Sequence, residues 1–254
     1  TPAVHNKVRE IKASYSTDED RAKAALNFVQ DDIRYMGIEM GENSHKPADP
    51  SKVFTQRFGD CKEKSYLLCC MLHAMNIDAS PVLINTESKK NVKLLLPAPI
   101  NFDHTTVRIK LDNTYYWLDP TIPYQRGSIK NFYYPDYQVG LVIADSTSDL
   151  SDIPFRNISS THTKEYFKVT DMTGKGTLTV STTFKGNDAD IVRNNFYNKS
   201  INELMNDYQK FYARYYEDIK ADSLTYSDDD STGIFTTIES YSLPDFWEID
   251  KDKT

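Results

Sequence analysis

The chain has 254 residues, of which 39% are hydrophobic and 26% are charged, and its formal net charge is −7. This composition is typical of globular proteins and excludes the collagen-like, low-complexity and disulfide-scaffold classes. Nucleic acid is not expected as a partner, because the Lys and Arg residues are not clustered into a basic face.

The length allows one large domain or two small ones, at about 150 residues per domain. No membrane-spanning segment is predicted, since apolar runs such as residues 94–96 are far shorter than the about 20 residues that cross a bilayer. The chain begins at Thr1 without a basic and then apolar leader, so we expect a processed or trimmed product.

Two amphipathic helices are predicted in the first third of the chain. Thr17 is a suitable N-cap for the first helix, which carries apolar residues at helical spacing. The second helix begins at about Asp60, which can form a capping box with Glu63, and it ends near residue 76. The polar stretch between them, residues 37–51, contains Gly and Pro and is predicted to be a loop.

The next elements are predicted to be strands. Residues 80–86 form the first of them. Residues 102–111 and 114–119 then predict a β-hairpin, because Asp112 and Asn113 between them favour a tight two-residue turn.

From about residue 151 the pattern changes to alternating strands, so we expect a core over 1–150 and a β-rich accessory domain over 151–254. Ser200 and Glu203 predict a capping box that opens one long amphipathic helix, residues 200–218. The predicted strands of this region are 164–170, 176–185 and one strand on each side of the acidic turn 228–230.

The three cysteines are Cys61, Cys69 and Cys70, and an odd number within ten residues cannot form a disulfide framework. Cys61 would be the first residue of the second helix, where the positive end of the helix dipole favours the nucleophilic thiolate. Cys69 and Cys70 have a helical spacing to His73 that a metal pair requires, but no further ligand is nearby. We therefore predict core positions for them and no metal site.

The hairpin predicts a neighbour for His104. With Leu111 paired to Thr114 across the turn, His104 lies opposite Thr121. Asp119 is two residues from that partner, so His104 and Asp119 share one face of the sheet at about 7–8 Å, within reach of a side-chain hydrogen bond.

A cysteine at a helix start, a histidine on a strand and an aspartate after the next strand are the groups needed for nucleophilic attack on a carbonyl. The thiolate attacks, the imidazolium protonates the leaving amine, and the carboxylate orients the imidazole. Taken singly, Cys61 and His104 are each more readily explained as structural, but together the three residues favour catalysis by Cys61, His104 and Asp119. This chemistry requires no metal or organic cofactor.

Several spaced motifs of the chain carry a resemblance to a known family. They are Phe58-Gly59-Asp60-Cys61 before a Leu-rich helix, Phe102-Asp103-His104, Trp117-Leu118-Asp119-Pro120 and, upstream, residues 33–39. Together they resemble the core of the transglutaminase-like superfamily, in particular its bacterial multidomain branch. The resemblance covers about residues 15–145, and it implies a papain-related α+β fold with a catalytic triad of Cys61, His104 and Asp119. In such a fold the helix bearing the cysteine packs on an antiparallel sheet, and β-rich domains flank the core.

An enzyme of this class also needs donors for the oxyanion of its tetrahedral intermediate. The backbone N–H of Cys61, at the helix start, is one candidate. The resemblance to transglutaminases implies an aromatic donor from the upstream segment, for which Tyr35 is the candidate. Papain-like enzymes use a glutamine shortly before the cysteine, which makes Gln56 the alternative.

The leading hypothesis is cysteine-dependent chemistry on peptide or protein amides through a thioester, with hydrolysis favoured over transfer to an amine. The alternative is a non-catalytic module on the same fold that binds peptide or cell-wall material. A third hypothesis is that residues 151–254 mediate assembly. The resemblance to exported bacterial proteins implies the periplasm or the cell surface, and the sequence does not fix the oligomeric state.

Overall fold

A computed structural model describes residues 2–37, 45–156, 158–169 and 174–247. The chain divides into two compact units, Thr1–Asn157 and Ile158–Thr254. Among the described residues, no helix has the length and apolar character that crossing a bilayer would require. The assignment of the first unit as a catalytic core and of the second as an accessory domain remains a prediction.

The first unit combines helices with a mainly antiparallel set of strands. Its helices are α1 (Pro2–Ser14), α2 (Asp18–Asp32), α3 (Pro50–Gln56) and α4 (Cys61–His73). Its strands are β1 (Arg34–Tyr35), β2 (Phe58–Gly59), β3 (Asp78–Ile84), β4 (His104–Leu111), β5 (Thr114–Leu118), β6 (Val139–Val142) and β7 (Ser151–Asp152). Short 3-10 helices cover Lys89–Leu94, Pro99–Asn101 and Ile129–Asn131.

Helix α4 packs against one face of a five-stranded sheet with the order β5-β4-β3-β6-β7, in which every pair is antiparallel. A separate two-stranded parallel pair joins β1 to β2. The apolar side of α4 is fully buried with residues of α2 and β4, because its leucines recur at helical spacing. The predicted α+β fold, with the cysteine-bearing helix on an antiparallel sheet, is confirmed.

The β4–β5 hairpin has the predicted turn and register. Asp112 and Asn113 both have positive φ, 47° and 63°, which a type I′ turn requires and which Asp and Asn tolerate better than other residues with a side chain. Leu111 pairs with Thr114, as predicted, and the ladder runs on to Leu118.

Helices α2 and α4 begin at the predicted caps, whereas α1 and α3 were missed. Helix α1 buries only Val4, Val8 and Ile11, a narrow apolar stripe in a polar segment. Helix α3 has seven residues and begins at Pro50, inside the predicted loop, with Asp49 as its N-cap. Of that predicted loop, residues 38–44 lie outside the described residues.

The second unit is a four-stranded antiparallel sheet with the order β10-β11-β9-β8, together with two helices. Helix α6 begins at the predicted capping box of Ser200 and Glu203. The elements are β8 (Ser160–Val169), β9 (Gly176–Lys185), α5 (Asn187–Asn198), α6 (Ile201–Tyr212), β10 (Lys220–Asp229) and β11 (Ile234–Leu243).

The prediction of one long helix over residues 200–218 is wrong, since two 12-residue helices are present and the second ends at Tyr212. The chain then turns so that Ile219 enters the buried cluster on the sheet and β10 begins. Helix α5 was missed because its buried residues include Arg193 and Asp190, which an apolar pattern does not reveal. Arg193 also pairs with Asp228, which was predicted to belong to an acidic turn and which lies in β10.

Candidate active site

Cys61 is the first residue of α4, and local chemistry fixes the start of that helix. The Asp60 side chain accepts a hydrogen bond from the Glu63 N–H, and the Glu63 carboxylate accepts one from the Asp60 N–H, both at 3.0 Å. Lys62 pairs with Asp60. A Cβ at Gly59 would lie 3.0 Å from Glu63 Cβ, so the capping box leaves little room for a side chain there. Cys61 itself is 5% exposed.

His104 is the first residue of β4 and pairs with Ile84, the last residue of β3. The loop that connects the two strands is closed at its base by Asp103. The Asp103 N–H donates to the Ile84 carbonyl at 3.0 Å, and its carboxylate accepts from the N–H and the hydroxyl of Thr86, both at 2.9 Å. This closed base fixes the end of the strand on which His104 lies.

Asp119 follows β5 directly and lies beside His104. The distance between His104 Nε2 and Asp119 Oδ2 is 2.8 Å. Asp119 is 1% exposed, and its carboxylate also accepts from the N–H and hydroxyl of Thr121, at 2.9 and 2.6 Å. Burial would raise the pKa of Asp119, but the hydrogen bonds from His104 and Thr121 outweigh it and lower the pKa. The carboxylate is therefore ionised although it is buried.

The imidazole of His104 lies between this carboxylate and the sulfur of Cys61. Burial alone would lower the pKa of His104, but the hydrogen bonds with Asp119 and Cys61 outweigh it and raise the pKa to about 10. Because Nε2 is bonded to Asp119, Nδ1 is the ring nitrogen left for the sulfur. The structure thus brings all three predicted residues together.

Two tyrosines complete the surroundings of the carboxylate, and sequence reasoning did not assign either of them to the site. The Tyr137 hydroxyl donates to Asp119 Oδ2 at 3.0 Å, and its ring centroid lies 5.7 Å from that of His104. Tyr134 meets Tyr137 edge-on at 5.2 Å, and its hydroxyl bonds Thr106 at 2.8 Å. Burial raises the pKa of both tyrosines, so both phenols remain neutral. The sequence offers a Tyr-rich run, residues 133–137, but this run does not indicate which ring faces the carboxylate.

The two side-chain candidates for oxyanion donors differ in how they approach the start of α4, Tyr35 through the β1–β2 pair and Gln56 along the chain. Tyr35 pairs with Gly59 in the β1–β2 ladder, two residues before Cys61, and its side chain is 51% exposed. Gln56 instead donates from Nε2 to the carbonyl of Phe58 at 2.8 Å. The Gln56 amide therefore supports the backbone that leads into the cysteine helix.

The other cysteines of α4 lie apart from this arrangement. Cys69 is buried, whereas Cys70 is half-buried and hydrogen-bonded to Tyr66. Burial raises the pKa of both thiols. His73 contacts the Ala79 carbonyl through Nε2 at 2.6 Å. Within the part of the chain that the structure describes, no group of three or more His, Cys, Asp or Glu residues is arranged to hold a metal ion.

Several solved structures resemble this chain, including those of two candidate proteases. One is of a candidate cysteine protease from Cytophaga hutchinsonii, with 14% identity and a TM-score of 0.31 over 40% of this chain and 30% of that one. The other is of a candidate protease from Parabacteroides distasonis, with 8% identity and a TM-score of 0.44 over 94% of this chain and 48% of that one. The chain therefore spans less than half the length of either protein.

No curated protein matches the chain. Residues 5–125 match the family model of the transglutaminase-like superfamily. This range includes α4, the β4–β5 hairpin and the three residues Cys61, His104 and Asp119. The part of the chain that is similar to this superfamily therefore lies within the first unit, Thr1–Asn157.

Proposed function

We propose that the first unit is a cysteine-dependent enzyme that acts on peptide or protein amides through a thioester at Cys61. The observation that carries this proposal is the contact of His104 with Asp119 at 2.8 Å on one side and with Cys61 on the other. A buried, ionised carboxylate that orients an imidazole beside a thiol is the arrangement that activates a cysteine nucleophile.

In the first half of the reaction, the Cys61 thiolate attacks the amide carbonyl and forms the new C–S bond. The negative charge on the carbonyl oxygen faces the N-terminus of α4, where the Cys61 N–H and the Tyr35 hydroxyl are the proposed donors. The tetrahedral intermediate then expels the amine, which takes a proton from the His104 imidazolium. Asp119 keeps the imidazole in position throughout.

In the second half, His104 removes a proton from water, and the resulting nucleophile attacks the thioester. The C–S bond breaks, the acid product leaves, and the thiolate is restored with the imidazolium beside it. An amine can replace water and give a new amide, but that outcome requires a site that binds the amine and excludes water. We therefore propose hydrolysis over transfer.

The test is the rate at which iodoacetamide labels each cysteine, followed by mass spectrometry. At about pH 6.5, two units below the ordinary thiol value of about 8.5, we expect fast labelling of Cys61 alone. The buried Cys69 and half-buried Cys70 are internal controls, because burial raises their pKa values. His104→Ala is expected to remove the fast labelling. If Cys61 reacts no faster than an ordinary thiol and ignores His104→Ala, the enzyme proposal is wrong and a binding module becomes the better hypothesis.

The choice between water and amine is tested with two probes on the same preparation. Release of fluorescent peptides from labelled casein measures hydrolysis, and incorporation of a fluorescent primary amine into casein measures transfer. We expect release without incorporation, and loss of the release in Cys61→Ala. Incorporation that exceeds release would reverse the assignment.

A further inference from the structure

The mechanism leaves a buried cation of the first unit, Lys64, without a role. Lys64 lies one helical turn after Cys61 on α4 and is 1% exposed. Its ammonium donates to the carbonyls of Gln30 at 3.3 Å and Ile33 at 2.5 Å. These carbonyls lie at the C-terminal end of α2, whose last turn contains no basic residue. A cation is favoured at this end of a helix because of the helix dipole and the unpaired carbonyls.

The same turn of α2 is bonded to the aspartate of the site. Gln30 donates from Nε2 to the backbone carbonyl of Asp119 at 3.0 Å and to Gln125 Oε1 at 2.8 Å. Gln125 is also buried and donates to the Tyr133 carbonyl at 2.9 Å, four residues before Tyr137. A chain of buried polar contacts thus runs from the cysteine helix through α2 to the backbone of Asp119.

The contact of Lys64 with the Ile33 carbonyl also affects the strand that carries Tyr35. It immediately precedes β1, where the Arg34 N–H donates to the Arg57 carbonyl at 2.8 Å and Tyr35 pairs with Gly59. The contact of Lys64 with Ile33 therefore fixes the point from which the proposed oxyanion residue Tyr35 extends.

We propose that Lys64 is a positioning residue whose buried ammonium holds the Cys61 helix against the end of α2 and so keeps Cys61 in register with His104 and Asp119. This inference rests on the proposed function. A buried cation is costly in free energy, and here the carbonyls of Gln30 and Ile33 offset that cost at the point where the first turn of α4 meets the end of α2. The position is therefore better explained by what the ammonium aligns than by stability alone.

As the pH rises, Lys64 should lose its proton before His104 does. Burial lowers the pKa of Lys64 to about 8, against the opposing effect of Asp119 and Asp31. Asp31 is itself paired with Arg126 at 2.8 Å. The pKa of His104 is about 10, so between these two values the site retains its imidazolium but loses the Lys64 charge. Turnover that depends on Lys64 should fall above about pH 8, well before His104 loses its proton.

The experiment compares the full chain with Lys64→Met, Lys64→Arg and the control Lys52→Met, an exposed lysine on α3. For Lys64→Met, we expect the kcat of casein hydrolysis to fall by about 100-fold, the loss typical of a small misplacement of catalytic groups, with KM unchanged. Labelling of Cys61 by iodoacetamide at pH 6.5 should slow as well. Lys64→Arg should restore turnover and move the alkaline decline from about pH 8 towards 10, because a guanidinium keeps its proton.

The experiment distinguishes failure of the positioning role from failure of the proposed function. If Cys61 of the natural chain is labelled slowly, at a rate that His104→Ala does not change, the proposed function has failed. If labelling is fast and depends on His104, but Lys64→Met behaves like Lys52→Met, the positioning role is refuted. Should Lys64→Met fail to fold by circular dichroism, the pH profile of the natural chain decides. A decline near pH 8 supports the role, and full turnover up to pH 10 overturns it.

Discussion

Asp119→Asn should release His104 from its raised pKa. The substitution keeps the size of the side chain and a hydrogen-bonding oxygen, but it removes the buried negative charge 2.8 Å from His104 Nε2. Burial favours the neutral imidazole, and in the natural chain the contacts with Asp119 and Cys61 overcome that preference. Without the charge of Asp119, burial should dominate.

The size of the effect follows from the pKa of His104, which stands at about 10 against an ordinary value of 6.5. At pH 8, a pKa of 10 gives about 100 imidazolium rings for each neutral ring. A pKa of about 6.5 or below reverses this to fewer than about 1 in 30. The proportion of the two forms should therefore change by about 3,000-fold, which would remove most of the imidazolium that the proposed mechanism uses to protonate the leaving amine.

The assay is a proton NMR titration of the imidazole signals, which is practicable because the chain has only five histidines. The His104 signal is identified by its absence in His104→Ala. Asp103→Asn is the matched control, since it removes one carboxylate from the adjacent residue, whereas the pKa of His104 depends on Asp119 and Cys61. A His104 signal that still titrates near pH 10 in Asp119→Asn would refute the assignment of Asp119 as the source of the shift.

Three further predictions concern stability, each measured by urea unfolding. Because the fold raises the pKa of His104, the contribution of His104 to the free energy of unfolding is complete below pH 6.5 and is lost as the pH rises through about 10. Because the fold lowers the pKa of Asp119, the contribution of Asp119 is complete above pH 3.8 and is lost as the pH falls below that value. Stability from this pair should be greatest at about pH 4–6.5, and His104→Ala should flatten the alkaline side of the curve; an unchanged curve would contradict the linkage. Arg193→Met should cost about 3–5 kcal/mol, because it removes the guanidinium that pairs with the buried Asp190 and with Asp228, and a cost below 1 kcal/mol would show that these pairs contribute little to stability. Gly140→Ala should cost about 1–3 kcal/mol, since its Cβ would lie 2.5 Å from a β3 side chain, and no loss would mean that the sheet moves apart there.

The elements that the sequence predicted well are those decided by local chemistry. The capping boxes at Asp60 and Ser200 use side chains three residues apart, and the Asp112–Asn113 turn sets the register of its hairpin by itself. From these, the placement of Cys61 at a helix start followed, as did the closeness of His104 to Asp119.

What the sequence did not reveal depends on contacts between distant segments. The hydrogen bond from Tyr137 to Asp119 exists because the chain after β5 folds back over the carboxylate, and no local pattern distinguishes Tyr137 from the tyrosines beside it. The burial of Lys64 could not be predicted from the sequence either, because a lysine near the start of a helix is normally solvated. Its burial is explained by its hydrogen bonds to the carbonyls at the end of α2.

The tip of the β4–β5 hairpin has a consequence for how this domain can vary in length. Exposed loop tips usually accept inserted or deleted residues without loss of function. This one should not, because the two-residue turn fixes the pairing of the strands, and a shift of one residue turns every side chain of a strand to the opposite face. His104 and Asp119 would then point away from each other. The turn at Asp112–Asn113 lies at the far end of the hairpin from the site. Even so, we expect it to accept substitutions but not insertions or deletions.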